Sequence, residues 1–395
     1  MSEPLRKFSA LLLAVLLAAC ATSAAEHQDA GIAAPARWSR LPDGAENTPL
    51  VAGPEAGVDQ AWWRHFHDPA LDALVAEALA GNKGLAIAKA RVAEARATRA
   101  GVRAALLPEI DATGGGRRGN QGYATSNKTP TIAEADLTAS WDLDLFGRNQ
   151  ARLAQSSALL QSEEATQQGV RVALLSEVAR TYFDLRDALR QLDLTRANLA
   201  TQQHTLEIIQ VQQQGALASD FDVARAAAQV SATAALIPAF ETGRDAALAR
   251  LAVLLGRAPG SGDAALLASL RPLALLDPRI VTAAPASVLA ARPDVRAAER
   301  RYAASLSAKD AATAALFPDI SLTALFGFQS SSPFDATPWG VGASLVQPVL
   351  DFGRIESQID AADARQKQAF LAYQQSVLEA LELSLIHISE PTRLA

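Results

Sequence analysis

The sequence predicts a mainly α-helical protein carrying a small β segment, arranged as two copies of one helix, hairpin, helix unit. Three observations predict it: residues 148–214 contain no proline and one glycine, short runs alternate strictly between apolar and polar residues, and the string preceding those runs returns 210 residues later. Composition agrees. Alanine is the most frequent residue and aromatics make up only 5% of the 395 residues, which favours close-packed helices over a sandwich. The formal charge of -6 lacks the basic footprint that a nucleic-acid partner requires, and a single cysteine excludes a disulfide framework or a cysteine-rich metal centre.

The first element is an address. Arg6 and Lys7 precede an apolar run from Leu11 to Ala19 that is too short to span a bilayer, so residues 1–19 read as a signal peptide. Leu17-Ala18-Ala19-Cys20 is similar to a bacterial lipoprotein box, in which cleavage leaves Cys20 as the lipidated first residue; the alternative is an ordinary secretory signal with a chance cysteine. Ala21 in place of an aspartate points to the outer rather than the inner membrane. Residues 20–58 form the lipidated N-terminus and an Ala-, Pro- and Gly-rich linker without periodicity.

Beyond the linker the chain repeats itself. Ala105-Leu106-Leu107-Pro108-Glu109-Ile110 recurs as Ala315-Leu316-Phe317-Pro318-Asp319-Ile320, and Leu85, Ala88 and Arg91 meet Val295, Ala298 and Arg301 at the same offset of 210. Phe146-Gly147-Arg148 recurs as Phe352-Gly353-Arg354 at an offset of 206, so the second copy is four residues shorter between its proline and its strand-to-helix turn. The first repeat is placed at residues 59–258, a connecting segment at 259–291 and the second repeat at 292–383.

Between proline and turn, the period changes from helical to two. Leu137, Ala139, Trp141, Leu143 and Leu145 interleave with Asp136, Thr138, Ser140, Asp142 and Asp144, giving one apolar and one acidic face. The second repeat offers Ile320, Leu322, Ala324, Phe326 and Phe328, then Trp339, Val341, Ala343 and Leu345. Each run has the length of a tilted membrane strand of about ten residues. A fourth, glycine-rich strand is placed at 110–116, and Gly114-Gly115-Gly116-Arg117-Arg118-Gly119, which lacks the ending of a phosphate-binding loop, is read as a hairpin tip. Four strands cannot close a barrel in lipid, so several copies must share one; the alternative is a soluble four-stranded sheet with one wet face.

The stretch from Arg148 to Gln214, as one helix, would be roughly 100 Å long. Val178, Leu185, Leu192, Leu199 and Leu206 recur every seven residues, with Tyr182 and Leu189 between them, which indicates a coiled-coil seam. Gly215 is expected to stop the helix, Ser219 and Asp220 to cap a return helix from Phe221 to Gly256, and Pro238 to kink it. His65, His67 and Asp68 are metal-ligand types, but they stand among Trp62, Trp63 and Phe66 without a second cluster, so a packed aromatic collar is expected there and no metal. Asp142-Leu143-Asp144 as a metal pair of a sugar-transfer enzyme is outweighed by its alternation.

Four strings carry a family resemblance. Trp63-Arg64-His65-Phe66-His67-Asp68-Pro69, Ser140-Trp141-Asp142-Leu143-Asp144-Leu145-Phe146-Gly147-Arg148, Leu255-Gly256-Arg257-Ala258-Pro259-Gly260 and Arg292-Pro293-Asp294-Val295-Arg296-Ala297-Ala298-Glu299 resemble, in that order, the outer-membrane efflux proteins of the TolC and OprM type. The lipid-anchored, NodT-like branch is the nearest, and the resemblance covers roughly residues 38–382. It implies a homotrimer in which three sets of four strands complete a twelve-stranded barrel above a tunnel of antiparallel coiled-coil helices. It further implies a passive outer-membrane duct for drugs or small toxic compounds, working with a periplasmic adaptor (a membrane fusion protein) and a proton-driven inner-membrane pump. No catalytic residue or cofactor is implied. The tip Gly215, Ala216 and Leu217 would face the adaptor, Asp136, Asp142 and Asp144 would face water in the lumen, and Gly147, Arg148, Gly353 and Arg354 would turn strand into helix. The rival class is a lipid-anchored periplasmic coiled-coil scaffold without a pore.

The second repeat offers only Arg354 to Leu383 before the helical pattern fails. By the repeat's logic about 75 residues of a second long hairpin are expected to be absent. Residues 384–395, which are similar to translated sequencing-adaptor DNA, read as a non-native tail. The gate residues of the family would fall in the missing hairpin.

Overall fold

A computed structural model describes residues 29–33, 61–118, 131–272, 285–331 and 334–389. The fold is mainly helical, with one five-stranded sheet. Two compact units divide it, and they cut across the repeats: one comprises residues 1–43, 91–166 and 284–395, the other 44–90 and 167–283.

In the second unit a short 3-10 turn, Trp62–Phe66, leads into helix α1, Pro69–Gly81. Asp68 caps α1 by accepting the Ala70 N–H at 2.9 Å, and Pro69 occupies the first turn, where its missing N–H costs nothing. Leu71, Leu74, Val75 and Ala78 bury one face of α1. Helix α2, Lys83–Ala104, follows after Asn82, whose side-chain amide donates to the Leu254 carbonyl at 2.8 Å. Helix α3 is unbroken from Arg148 to Gln214, the bounds expected from the proline-free stretch. Its seam is dry at Val178, Tyr182, Leu185 and Leu192 and becomes half-exposed at Leu199 and Leu206.

The return arm is two helices, α4 at Asp220–Ala234 and α5 at Ile237–Leu255, parted at Ala235 and Leu236 beside Pro238, as the proline predicts. Ser219 and Asp222 form a reciprocal capping box at the start of α4. The core of this unit joins α1, α3 and α5 through Leu71, Val75, Val178, Leu185, Leu251 and Leu255. Helix α6, Asp263–Ser269, closes the described part.

In the first unit, helices α7 (Pro285–Ala291) and α8 (Pro293–Thr313) lead to the sheet, and α9 (Arg354–Ser389) leaves it. α8 and α9 pack through Val295, Tyr302, Tyr373, Val377 and Ala380, with the Tyr302 and Tyr373 rings stacked at 6.4 Å. Ser162 of α3, almost fully buried, donates to the Ala297 carbonyl at 3.0 Å. α9 continues as helix to Ser389, past the Leu383 limit read from the pattern. Leu385 and Leu381 are good helix formers, and the helix-breaking Pro391 lies further on.

The strands are β1 (Glu109–Arg118), β2 (Thr131–Asp142), β3 (Asp319–Ser331), β4 (Phe334–Ala336) and β5 (Trp339–Val346). All pairings are antiparallel: β1 with β2, β2 with β3, and β3 with both β4 and β5. The sheet is open, with one edge along β1 and another along β5. Three expectations change. A short fifth strand, β4, extends the second hairpin. Gly114 to Arg118 are paired strand rather than tip, because a glycine run can stay extended when it pairs across the ladder, here Gly114 to Gly116 with Ala135 to Ala133. The alternation past Asp142 does not continue the strand: β2 ends there, and Leu143, Asp144 and Leu145 form the turn into α3.

Candidate functional site

The sheet is the candidate site, and its register sorts the side chains into two faces. Ile110 stands opposite Ala139, which stands opposite Ala324 and then Val341; Leu137 stands opposite Phe326 and then Trp339. This face also holds Ala135, Trp141, Leu322, Phe328, Ala343 and Leu345, and apart from Leu322 its large members are exposed, from Trp141 at 38% to Val341 at 80%. The opposite face aligns Glu134, Asp136, Thr138, Ser140 and Asp142 of β2 with Gln329, Gly327, Leu325, Thr323 and Ser321 of β3. Glu134, Asp136 and Thr138 are partly buried while their apolar neighbours Ala135 and Leu137 are exposed. The reversal of the order usual in a water-soluble sheet is local to the middle of β2, since on the same face Ile132 is buried and Ser140 and Asp142 are exposed.

Gly327 is shaped around Asp136. A Cβ at Gly327 would lie 1.9 Å from Asp136 Oδ1 and 3.4 Å from the Ala135 carbonyl oxygen, so a larger residue there would require the Asp136 side chain to turn away. Asp142 closes β2 opposite Ser321. Asp144 does not share the acidic strand face; its Oδ1 accepts the Asn149 N–H and its Oδ2 the Gln150 N–H, both at 2.8 Å, so it caps α3. In the second repeat Asp351 does the same for α9, accepting the Gly353 and Ile355 amides at 3.1 and 3.0 Å.

In the two strand-to-helix turns Gly147 has a φ of 74° and Gly353 a φ of 83°. Arg148 donates to Asp319 Oδ2 at 2.7 Å, and the rings of Phe146 and Phe317 stack at 4.9 Å and 8°. These two contacts tie the turn of the first repeat to the start of β3 in the second. The turn motif marks Phe146 and Arg148 but not their partners Phe317 and Asp319. The repeat alignment held the signal, since both lie in the recurring string. Arg354, in the matching turn, makes no side-chain ion pair among the described residues.

The hairpin tip departs by one residue from expectation. Gly215 has an ordinary φ, and the left-handed residue is Ala216, at 58°. The Ala216 N–H bonds the Gln213 carbonyl at 2.9 Å and the Leu217 N–H bonds the Gln212 carbonyl at 2.8 Å, a Schellman ending. Leu217 is 83% exposed beside it. Asp222 is held below the usual carboxylate range by the hydroxyl and then the backbone N–H of Ser219.

The collar forms as read. Trp62 meets Trp63 and Phe66 edge-on at 6.3 and 6.2 Å, and Phe66 lies 4.8 Å from Phe183. Asp68 is held by a tyrosine rather than gathered with the histidines: Tyr182 donates to its Oδ2 at 2.5 Å, and Arg186 donates to the Tyr182 hydroxyl at 3.3 Å. Burial, then the Asp68 hydrogen bond, pushes the Tyr182 hydroxyl well above its ordinary pKa. His67 takes a left-handed φ of 49° to end the 3-10 turn. Among the described residues no group of three or more His, Cys, Asp or Glu side chains could hold a metal ion. Cys20 lies outside the described residues.

Comparison with known proteins follows the same lines. The family model described as outer membrane efflux protein matches residues 74–257 and 284–382. The pyoverdine export outer membrane protein OpmQ of Pseudomonas aeruginosa is 30% identical over 389 residues, spanning 95% of this chain and 79% of its own. Nodulation protein T of Rhizobium leguminosarum biovar trifolii is 29% identical, spanning 82% of this chain and 70% of its own. The solved structure of the outer-membrane channel OprN superposes with a TM-score of 0.80 at 32% identity, covering 93% of this chain and 83% of that one.

Proposed function

The chain belongs to the outer membrane efflux protein family, and on that premise we propose that it is the outer-membrane channel subunit of a tripartite efflux system. In this reading three copies close a twelve-stranded barrel in the outer membrane, and their helices extend into the periplasm as a tunnel. Drugs or other small toxic compounds leave passively; a periplasmic adaptor and a proton-driven inner-membrane pump supply selection and energy. Cys20 carries the lipid anchor, the Gly215, Ala216 and Leu217 tip meets the adaptor, and Asp136 and Asp142 face the water of the lumen. The reading calls on no catalytic residue and no cofactor.

The observation that carries it is the sheet. One face is lined by exposed apolar side chains, the other carries Glu134, Asp136 and Asp142, and both edges are unpaired among the described residues. An open edge in hydrocarbon leaves backbone groups unsatisfied at several kcal/mol each, so a lipid-facing sheet of this size needs further strands from other copies. A pore-free scaffold would have no use for an outward band of Phe326, Trp339 and Val341. Reconstitution into planar bilayers tests the proposal: stepwise conductance is expected, and protein that inserts or binds without any conductance would overturn it.

A further inference from the structure

Inside one chain, the first hairpin meets the second through a single joint, β2 against β3. Its parts are the ladder from Asp142 opposite Ser321 to Ile132 opposite Ser331, the Arg148 to Asp319 ion pair and the Phe146 to Phe317 stack. The two hairpins are themselves copies without register slip. Glu109 opposite Ser140 in β1 and β2 becomes Asp319 opposite Val346 in β3 and β5 when the offsets of 210 and 206 are applied. One hydrogen bond follows the same mapping: Trp141 Nε1 donates to the Leu106 carbonyl at 3.0 Å, and Gln347 Nε2 donates to the Leu316 carbonyl at 3.2 Å.

The same mapping applied to the joint lands on residues that one chain cannot bring together. Arg148 becomes Arg354 and Asp319 becomes Glu109; Phe146 becomes Phe352 and Phe317 becomes Leu107. Charge and apolar character are kept in every case. Phe352 is 92% exposed, Leu107 is 66% exposed, and neither Arg354 nor Glu109 has a side-chain ion pair among the described residues. The two halves of a second joint therefore stand on opposite edges of the sheet, β5 with Arg354 and Phe352, β1 with Glu109 and Leu107.

We propose that β5 of one copy pairs antiparallel with β1 of the next copy in the register that repeats the internal joint, fastened by an ion pair from Arg354 to Glu109 of the next copy. Phe352 covers Leu107 of the next copy. The mapped ladder sets Leu345 opposite Gly114 and Ala343 opposite Gly116, the images of Ala139 opposite Ala324 and Leu137 opposite Phe326. The glycine run of β1 thus lies opposite Leu345, Ser344 and Ala343 of β5. Both edges carry the same alternation, so apolar side chains remain on one face across the seam. The occupant is a second copy because the edges are complementary to each other and reproduce contacts the chain already makes with itself. This inference rests on the oligomeric channel proposed above and assigns its seam.

The test uses the full chain in detergent and in membranes. Arg354→Glu and Glu109→Arg singly should each lower the oligomer fraction several-fold in native mass measurements, and the two reversals together should restore most of it. Leu345→Cys combined with Gly114→Cys should give a ladder of disulfide-linked oligomers on non-reducing gels. Leu345→Cys with Ala112→Cys, two residues out of register and beyond disulfide reach, should not. If the unaltered chain stays monomeric, the oligomeric channel falls and this seam with it. If it assembles but the charge swap fails to rescue, or the out-of-register pair links in place of the matched one, the seam is wrong and the channel stands.

Discussion

Tyr182 and Asp68 are joined by a 2.5 Å hydrogen bond in which the tyrosine hydroxyl donates to one carboxylate oxygen while the other oxygen caps α1 through the Ala70 N–H. A residue of the coiled-coil seam thereby fixes the start of the helix that packs on it. Tyr182→Phe removes the donor and leaves a buried carboxylate with half its partners, which should cost about 1.5–3 kcal/mol, read as a lowered midpoint in chemical denaturation. An unchanged midpoint would mean that water replaces the hydroxyl without loss.

The same bond sets an alkaline limit. The Tyr182 pKa is raised by burial and by Asp68 above its ordinary value of 10.0, so its contribution is complete below pH 10 and is lost as pH rises toward the folded value. The thermal midpoint of the wild-type protein should therefore fall above about pH 10 more steeply than that of Tyr182→Phe. Parallel curves would remove the argument.

Two helix ends share one Schellman geometry with different residues. At the end of α5 the left-handed position is Gly256, φ 77°, where a Cβ would lie 2.2 Å from the Gly81 carbonyl oxygen; at the end of α3 it is Ala216. Gly256→Ala should destabilise by about 3 kcal/mol or more, from contact plus strain, whereas Ala216→Gly should stabilise by up to about 1 kcal/mol. The opposite signs are the prediction, and denaturation midpoints of the two variants check it.

On the outer face of the sheet, Leu137→Arg should reduce membrane insertion, by a cost of about 2–4 kcal/mol at mid-depth. On the inner face, Asp136→Lys should leave insertion intact and shift the reversal potential under a salt gradient toward anions. Exchange of these two outcomes would invert the assignment of the faces.

At the tip, Leu217→Glu replaces an exposed apolar side chain that no described contact buries. Compound export by cells should fall while the yield of assembled protein is unchanged; full export would place the adaptor elsewhere. Cys20 is checked by intact mass of membrane-extracted protein, where diacylglyceryl and acyl additions on residue 20 are expected and an unmodified thiol behind an uncut Ala19 would refute the anchor.

Much of this architecture was legible because it is periodic or repeated. The bounds of α3 follow from the absence of proline, the kink from Pro238, and the faces of β2 and β3 from period two. What escaped was decided by contacts rather than by pattern. Asp144 continues the alternation on paper, yet its carboxylate is taken by two helix amides and the strand ends before it. Gly215 is the nearest glycine to a helix end, but the carbonyls of Gln212 and Gln213 choose the amides one residue on. Gly81 and Gly256 need each other only because their backbones cross, which neither neighbourhood in sequence reveals.

The ladder between β2 and β3 also constrains how the chain reaches this state. Asp142 and Ser321 pair across an interval of about 180 residues, while the two hairpins flanking them close locally. Joining ends so far apart in a flexible chain costs about 5 kcal/mol in closure entropy, and no strand contact repays it beforehand. The long hairpin of α3, α4 and α5 shortens that search by returning the chain on itself. The expected kinetic order is therefore helices first, local strand pairs next, and the central pairing as the slow step. Destabilising the coiled-coil seam should slow maturation of the sheet although no seam residue lies in it.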